Sequence, residues 1–302
     1  MGALSKNPMR LLVVNADDFG LTESVNRGIL EAHTRGILTS TTILANGAAF
    51  DSAVALARQA PGLGVGVHLN LTEGRPVASP AEVSSLLNEH GRFLRSPVAL
   101  VKKVFTGRLP ADEIERELSA QIEKVQRTGI GVTHLDGHKH VHMLPGILPV
   151  VLRVAQRYGI SAMRWAVEHP PGVFSLIRRN PGAAQKILGQ RLRARVLAAA
   201  AMGYRGRVRA AGVACPMYFF GVVQTGFLDA AALAEVLWNL PEGSSELMCH
   251  PGYADAALAA TGTRLVATRQ RELEALTSPA IRKLIAELGI KLVNYRAVLP
   301  AR

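Results

Sequence analysis

Three short apolar runs in the first seventy residues, each closing on polar side chains, restrict this chain more than any other feature. Residues 10–14 (RLLVV), 37–45 (ILTSTTILA) and 63–71 (LGVGVHLNL) have the length and β-branched content of buried strands. Between them, 21–36 carries Val25, Ile29, Leu30 and His33 at helical spacing behind a Thr22 cap, and the alanine-rich 48–59 stops at Pro61-Gly62. Such a succession predicts parallel strands joined by right-handed crossovers. In α/β folds ligands collect at the C-terminal edge of the sheet. Asp17 and Asp18 fall at that edge. Neighbours leaving a strand point apart, so one is free to hold a metal while the other faces a substrate. The competing role is a helix N-cap.

The rhythm continues with interruptions. Residues 72–109, with Pro76, Pro80, Gly91 and Pro97, read as a loop excursion with short helices. An amphipathic helix over 111–128 (Ile114, Leu118, Ile122, Val125) precedes a fourth strand at 132–135, a helix at 145–158 and a short strand at 160–165 ending near Arg164. Pro170-Pro171 breaks the pattern, and 185–202 is helical, with Ile187, Leu188, Leu192, Val196 and Leu197 on one side and basic residues around them. Residues 210–228 lack charge but hold Pro216 and three glycines, so a buried strand and turn is expected rather than a membrane span. A helix at 229–240, a strand at 245–249, helices at 268–276 and 279–288 and a strand at 290–295 follow. No repeat or linker interrupts 1–302, and one domain is expected.

Two cysteines, Cys215 and Cys249, make no disulfide framework or metal spacing, so a reducing cytoplasm is the expected compartment. Residues 1–9 lack the apolar core of a signal peptide. The net charge of +12 is uneven: 178–209 holds nine Lys/Arg and no Asp/Glu, leaving about +3 elsewhere. A nucleic-acid footprint would spread wider and bring stacking aromatics, and aromatic content is 5%; no nucleic-acid partner is expected.

Polar clusters fall at several predicted strand ends: Asp17-Asp18, His68, Asp136 with His138, His140 and His142, and His250. Four of the nine histidines lie within 131–143. In extended backbone, Asp136, His138, His140 and His142 would share one face, a row costly to bury unless hydrogen-bonded or metal-bound. Two imidazoles and a carboxylate with open positions compose a hydrolytic metal site, a nearby carboxylate could take a proton from water, and His250 could supply one.

The motifs NADDFG, GVHLNLTEG, HLDGHKHVHMLP, MRW and CHPGY, spread from Asn15 to Tyr253, resemble those of the YdjC/ChbG family of carbohydrate deacetylases. The resemblance implies a distorted (β/α) barrel of mostly parallel strands, like that of polysaccharide deacetylases. It implies one divalent cation, Mg²⁺ in that family, and removal of acetyl groups from N-acetylglucosamine-type sugars. Asp18, His68 and His138 then match the metal ligands, Asp17 the general base and His250 the general acid. Arg164 would orient the carboxylate relay. Asp136, His140, His142 and Asn70 would support these groups from behind or line the cleft. The ligand types themselves suit Zn²⁺ or Co²⁺ better than oxygen-preferring Mg²⁺.

The substrate within that family is either a chito-oligosaccharide or a lipid-linked sugar. The basic 178–209 segment favours the lipid, with peripheral contact at the inner membrane surface. Relatives of the hopanoid-biosynthesis branch, similar in GHKHxH and in the basic middle section, imply an acetylglucosaminyl hopanoid. The 210–228 stretch would serve as a homodimer interface or a lipid groove. Readings of other classes are a metal-dependent phosphoesterase and a non-catalytic sugar- or lipid-binding module.

Overall fold

A computed structural model describes residues 9–169 and 172–298. The expected lack of a signal peptide in residues 1–9 and the break at Pro170-Pro171 are readings that rest on residues 1–8 and 170–171, which lie outside the described residues. Seven strands, β1 (Arg10–Phe19), β2 (Ser40–Ile43), β3 (Gly64–Leu69), β4 (Val132–Gly137), β5 (Tyr218–Phe220), β6 (Gly243–Cys249) and β7 (Ile290–Leu292), form one sheet in which every pairing is parallel. The order is β4-β3-β2-β1-β6-β5, with β7 beside the start of β1. Strand β1 runs past its apolar start through the buried Asn15, Asp17 and Asp18, where Arg164 holds Asp17, Arg269 holds Asp18, and Asn15 Nδ2 donates to Asp17 Oδ1.

The segment 160–165, expected as a strand, makes no ladder. Single bridges tie it to β4 (Leu135–Met163) and to Ala214 ahead of β5 (Ala162–Ala214), and Glu168 beyond it bridges to Phe219 of β5, which together bring the two ends of the sheet into a distorted barrel.

Helices α1 (Glu23–Thr34), α2 (Phe50–Gln59), α3 (Pro97–Phe105), α4 (Ala111–Gln126), α5 (Leu148–Arg157), α6 (Val173–Arg179), α7 (Ala184–Met202), α8 (Arg205–Ala210), α9 (Ala230–Trp238), α10 (Ala256–Ala260), α11 (Ala267–Thr277) and α12 (Pro279–Glu287) surround the sheet. Thr22 caps α1 by accepting from the Val25 N–H. The excursion after β3 is tied to α4, where the buried Glu117 carboxylate accepts from the Val77 and Ala78 N–H groups and Gln121 bonds both backbone groups of Asn70. One expectation is corrected in α7: Ile187 is buried, but Leu188, Leu192 and Val196 are more than half exposed, so the apolar residues divide between two faces. No helix among the described residues is long and apolar enough to cross a membrane.

The loop carrying His250 is seated by glycine against glycine. A Cβ on Gly28 of α1 would lie 2.5 Å from the Gly252 Cα, and the Tyr253 N–H donates to the Ser24 carbonyl beside it. Gly28→Ala is therefore expected to lower stability by about 1–3 kcal/mol through overpacking. Gly189→Ala, in α7 with nothing within 4 Å of its added Cβ, is expected to raise stability by up to about 1 kcal/mol. Paired denaturant titrations of the two variants check the contrast.

Candidate active site

Strand ends and one late helix deliver the polar residues to a common place. Asp17 and Asp18 leave β1, His68 ends β3, Asp136 ends β4, and His138 opens the turn that follows. That turn is a 3₁₀ coil in which Lys139 and His140 take left-handed backbone (φ +52° and +58°). The expected one-faced row of Asp136, His138, His140 and His142 is thus corrected: an extended chain would keep period two, but the coil fans the rings apart.

Arg164 is the hub. Its guanidinium has no solvent exposure and contacts three carboxylates: Asp17 at 2.6 and 2.8 Å, Asp136 at 2.9 Å and Glu246 of β6 at 2.8 Å. Burial alone would raise the Asp17 carboxyl, but Arg164 outweighs it and holds Asp17 well below the usual carboxylate range. On Glu246 burial wins and pushes the carboxyl up to about 7, although the Tyr295 hydroxyl donates to it at 2.6 Å.

Asp18 has a separate keeper. It sits at φ +69°, turned away from Asp17, and Arg269 of α11 holds its Oδ2 at 2.5 Å. Its Oδ1 faces His138 Nδ1 at 3.1 Å and His68 Nε2 at 3.5 Å. Burial opposes ionisation of Asp18, yet Arg269 and then His138 hold it well below the ordinary value. His68 turns its other nitrogen, Nδ1, to Asp136 Oδ1 at 2.7 Å, and Thr42 Oγ1 bridges the pair, donating to Asp136 Oδ2 at 2.9 Å. A carboxylate behind an imidazole fixes the ring and directs the opposite nitrogen forward, as in histidine metal ligands. His138 Nε2 is buried with no hydrogen-bond partner. Ligand atoms of Asp18, His68 and His138 lie within 4.8 Å of one another, so this trio fits a divalent cation. A second grouping, Asp17, His68 and Asp136, meets the same distance, but both of its carboxylates are already bound to Arg164.

His250 lies across from the trio, its Nε2 4.0 Å from Asp17 Oδ2 and its N–H donated to Glu272 of α11 at 2.6 Å. Burial pushes its ring down to about 4 against the pull of Asp17, so it rests neutral. His138 goes the other way: burial would lower it, but Asp18 and then Glu73 raise it to about 9. His140, pushed down to about 3 by burial and Arg164, stands edge-on to Phe219 at 5.9 Å. His142 is fully buried, with Nε2 3.2 Å from the Arg164 carbonyl oxygen. Asn70 shapes the turn behind the site, its Oδ1 accepting from the Thr72 and Glu73 N–H groups and its Nδ2 donating to Asn46 and the Glu73 carbonyl.

Four residues in this arrangement lie outside the motifs, Arg269, Glu272, Glu246 and Thr42, and Glu73, inside GVHLNLTEG, has no role in the motif reading. Arg269 and Glu272 are buried and three apart on α11, so they share a face turned inward. A charged pair at that spacing inside a helix packed on the core is the signal that could have exposed them. Glu73 stands 3.7 Å from His138 Nε2 and binds Lys139 Nζ at 2.7 Å.

Known proteins place the chain in company. A family model described as YdjC-like protein matches residues 11–287. A protein of Geobacillus stearothermophilus named carbohydrate deacetylase is 37% identical over 95% of this chain and 97% of its own length. A protein of Klebsiella pneumoniae (strain 342) named chitooligosaccharide deacetylase is 34% identical over 96% of this chain and 99% of its own. A crystal structure from Enterococcus faecalis V583, assigned provisionally to cellobiose-phosphate cleavage, superposes with a TM-score of 0.77 at 29% identity, covering 97% of this chain and all of that one.

Two arginine variants separate the roles of the two clamps. Arg164→Ala strands three buried carboxylates and is expected to cost about 3–5 kcal/mol, read by chemical denaturation. Arg269→Ala frees Asp18 Oδ2 to rotate and is expected to weaken divalent-cation binding by about 10- to 100-fold in titration calorimetry. Arg269→Lys should recover part of that affinity.

Proposed function

The chain belongs to the YdjC-like family, and from that premise we propose that it is a deacetylase removing the N-acetyl group from an N-acetylglucosamine-containing carbohydrate. The observation that carries the reading is the convergence of Asp18, His68 and His138 beside an arginine-clamped Asp17 and a neutral His250. The names of the Geobacillus and Klebsiella relatives point the same way. The proposed unit is one domain spanning the chain, with the basic 178–209 segment an excursion within it.

Asp18, His68 and His138 are the proposed metal ligands. A divalent cation bound there would polarise the amide carbonyl and lower the pKa of a bound water. Two nitrogens and one oxygen favour Zn²⁺ or Co²⁺, and the family resemblance favours Mg²⁺. Asp136 keeps His68 in the tautomer that presents Nε2. Asp17 is the proposed proton acceptor when water attacks the amide carbon. Clamped by Arg164, it is too weak a base to keep that proton. His250, 4.0 Å away and more basic than Asp17, is the next acceptor, and from it the proton passes to the departing amine. The atoms balance: water gives its hydroxyl to the acetyl carbon and a proton to the nitrogen, leaving acetic acid and the free amine, and the acid's proton then passes to the amine or to solvent to give acetate. His140, beside Phe219, is placed to line the cleft.

The finer reading of the substrate is a lipid-linked amino sugar of the acetylglucosaminyl hopanoid type, with a chito-oligosaccharide as its counterpart. What supports the lipid is the exposed apolar and basic surface of the 178–209 segment.

Acetate release tests the reading. EDTA-treated protein is expected to be inactive and to recover with Zn²⁺, Co²⁺ or Mg²⁺, the order of recovery naming the metal. Supplied with N,N′-diacetylchitobiose and an acetylglucosaminyl lipid side by side, it should release more acetate from the lipid. Absence of acetate from both sugars, with hydrolysis of p-nitrophenyl phosphate instead, would replace the proposal with phosphoester chemistry. His250→Ala is expected to lower kcat by about 10²–10⁴ while metal content stays unchanged.

A further inference from the structure

Helix α7 (Ala184–Met202) has two apolar faces and only one of them is covered. Ile187, Gln190, Ala194 and Ala201 face inward and are buried, and Gln190 Nε2 donates to the Thr225 carbonyl at 2.9 Å. Leu188, Leu192, Val196, Ala199 and Met202 follow one another at four- and three-residue spacing, which lines them up along the opposite side. Leu188, Leu192, Val196 and Met202 are 52–69% exposed. The helical turn sets Lys186 and Arg193 along one border of this stripe and Arg191 and Arg195 along the other. No acidic residue occurs between 178 and 209. Arg264 and Arg271 extend the cationic border, close enough to Lys186 to add to the lowering of its ammonium pKa that burial begins. Phe174, 83% exposed, belongs to α6, which packs against α7.

A solvated surface helix would place its cations on the outermost line. Here aliphatic side chains occupy that line and the cations flank it, an arrangement that lets apolar groups enter an acyl layer while guanidinium groups stay at phosphate level. We propose that the outer face of α7 is a docking surface for an anionic lipid bilayer. Charge complementarity selects that occupant. A second copy of the chain, meeting this face through a two-fold axis, would bring two sets of arginines together without a carboxylate to neutralise them. Nucleic acid would match the charge, but α7 holds no aromatic residue on which a base could stack.

The inner face of α7 is linked to the candidate active site by hydrogen bonds. Thr225, bonded by Gln190, precedes Gly226, whose N–H donates to Glu272, and Glu272 also accepts from the His250 N–H. α7 would therefore stand between a bilayer and the loop that backs His250. The docking inference goes beyond the deacetylase reading and stands or falls without it.

Vesicle sedimentation decides the matter. The full chain is expected to sediment with phosphatidylglycerol vesicles and to stay in solution with phosphatidylcholine vesicles, binding weakening as salt rises. The triple variant Arg191→Gln, Arg193→Gln, Arg195→Gln is expected to lose on the order of a hundredfold in partitioning. Leu192→Ser with Val196→Ser should lose at least tenfold with every cation retained. Unchanged thermal melting of both variants shows that the fold persists. Wild-type protein that ignores phosphatidylglycerol vesicles, or variants that bind them as well as wild type, would overturn the inference. So would light scattering that finds a dimer which Leu192→Ser with Val196→Ser converts to monomer, because the second copy would then be the occupant.

Discussion

A buried guanidinium with three carboxylates around it governs the middle of this protein. Arg164 draws Asp17 from β1, Asp136 from β4 and Glu246 from β6 to one point without solvent. One positive charge cannot neutralise three negative ones, and the imbalance is resolved unevenly. Asp17 stays ionised, while Glu246 is pushed up to about 7 and takes a hydrogen bond from Tyr295. The same cation, after burial, keeps His140 neutral a few side chains away. Geometry of the barrel and electrostatics of the site are thus set by one side chain, and neither can be altered without the other.

Two adjacent aspartates acquire different characters because two arginines from distant elements hold them. Arg164 engages both oxygens of Asp17, whereas Arg269 engages a single oxygen of Asp18 and leaves Oδ1 toward the imidazoles. The left-handed backbone at Asp18 makes the division possible, since a regular strand would only alternate the pair between faces. Local strain in β1 is balanced by an ion pair from a helix 251 residues further along the chain.

Much of the architecture was legible because strands and helices carry different periods and end on different residues. The β-α succession, the Thr22 cap and the placement of Asp17, Asp18, His68 and Asp136 at strand ends followed from those signals. The histidine turn did not follow: 138–143 is polar, and nothing local distinguishes an extended row from a coil that places two non-glycine residues at positive φ. The 160–165 segment looked like a strand and is tethered by bridges alone, because its register is dictated by partners across the barrel. Arg269, Glu272 and Glu246 went unread for the same reason. Their importance comes from what faces them in space: the spacing of Arg269 and Glu272 marks a shared helix face, but only the fold shows that this face turns inward, and Glu246 carries no such mark.

Strand β1 lies between β2 and β6, so the first strand made is completed by one of the last. A ribosome adding about 5–20 residues per second reaches Cys249 on the order of tens of seconds after β1 emerges. Throughout that interval one edge of RLLVVNADDF has no ladder, and Asp17 and Asp136 have no Glu246 with which to share a cation. The nascent chain must keep this long, half-paired strand from pairing with a neighbour's, so this protein's yield in a cell should depend on chaperone supply and on the pace of translation across its middle third.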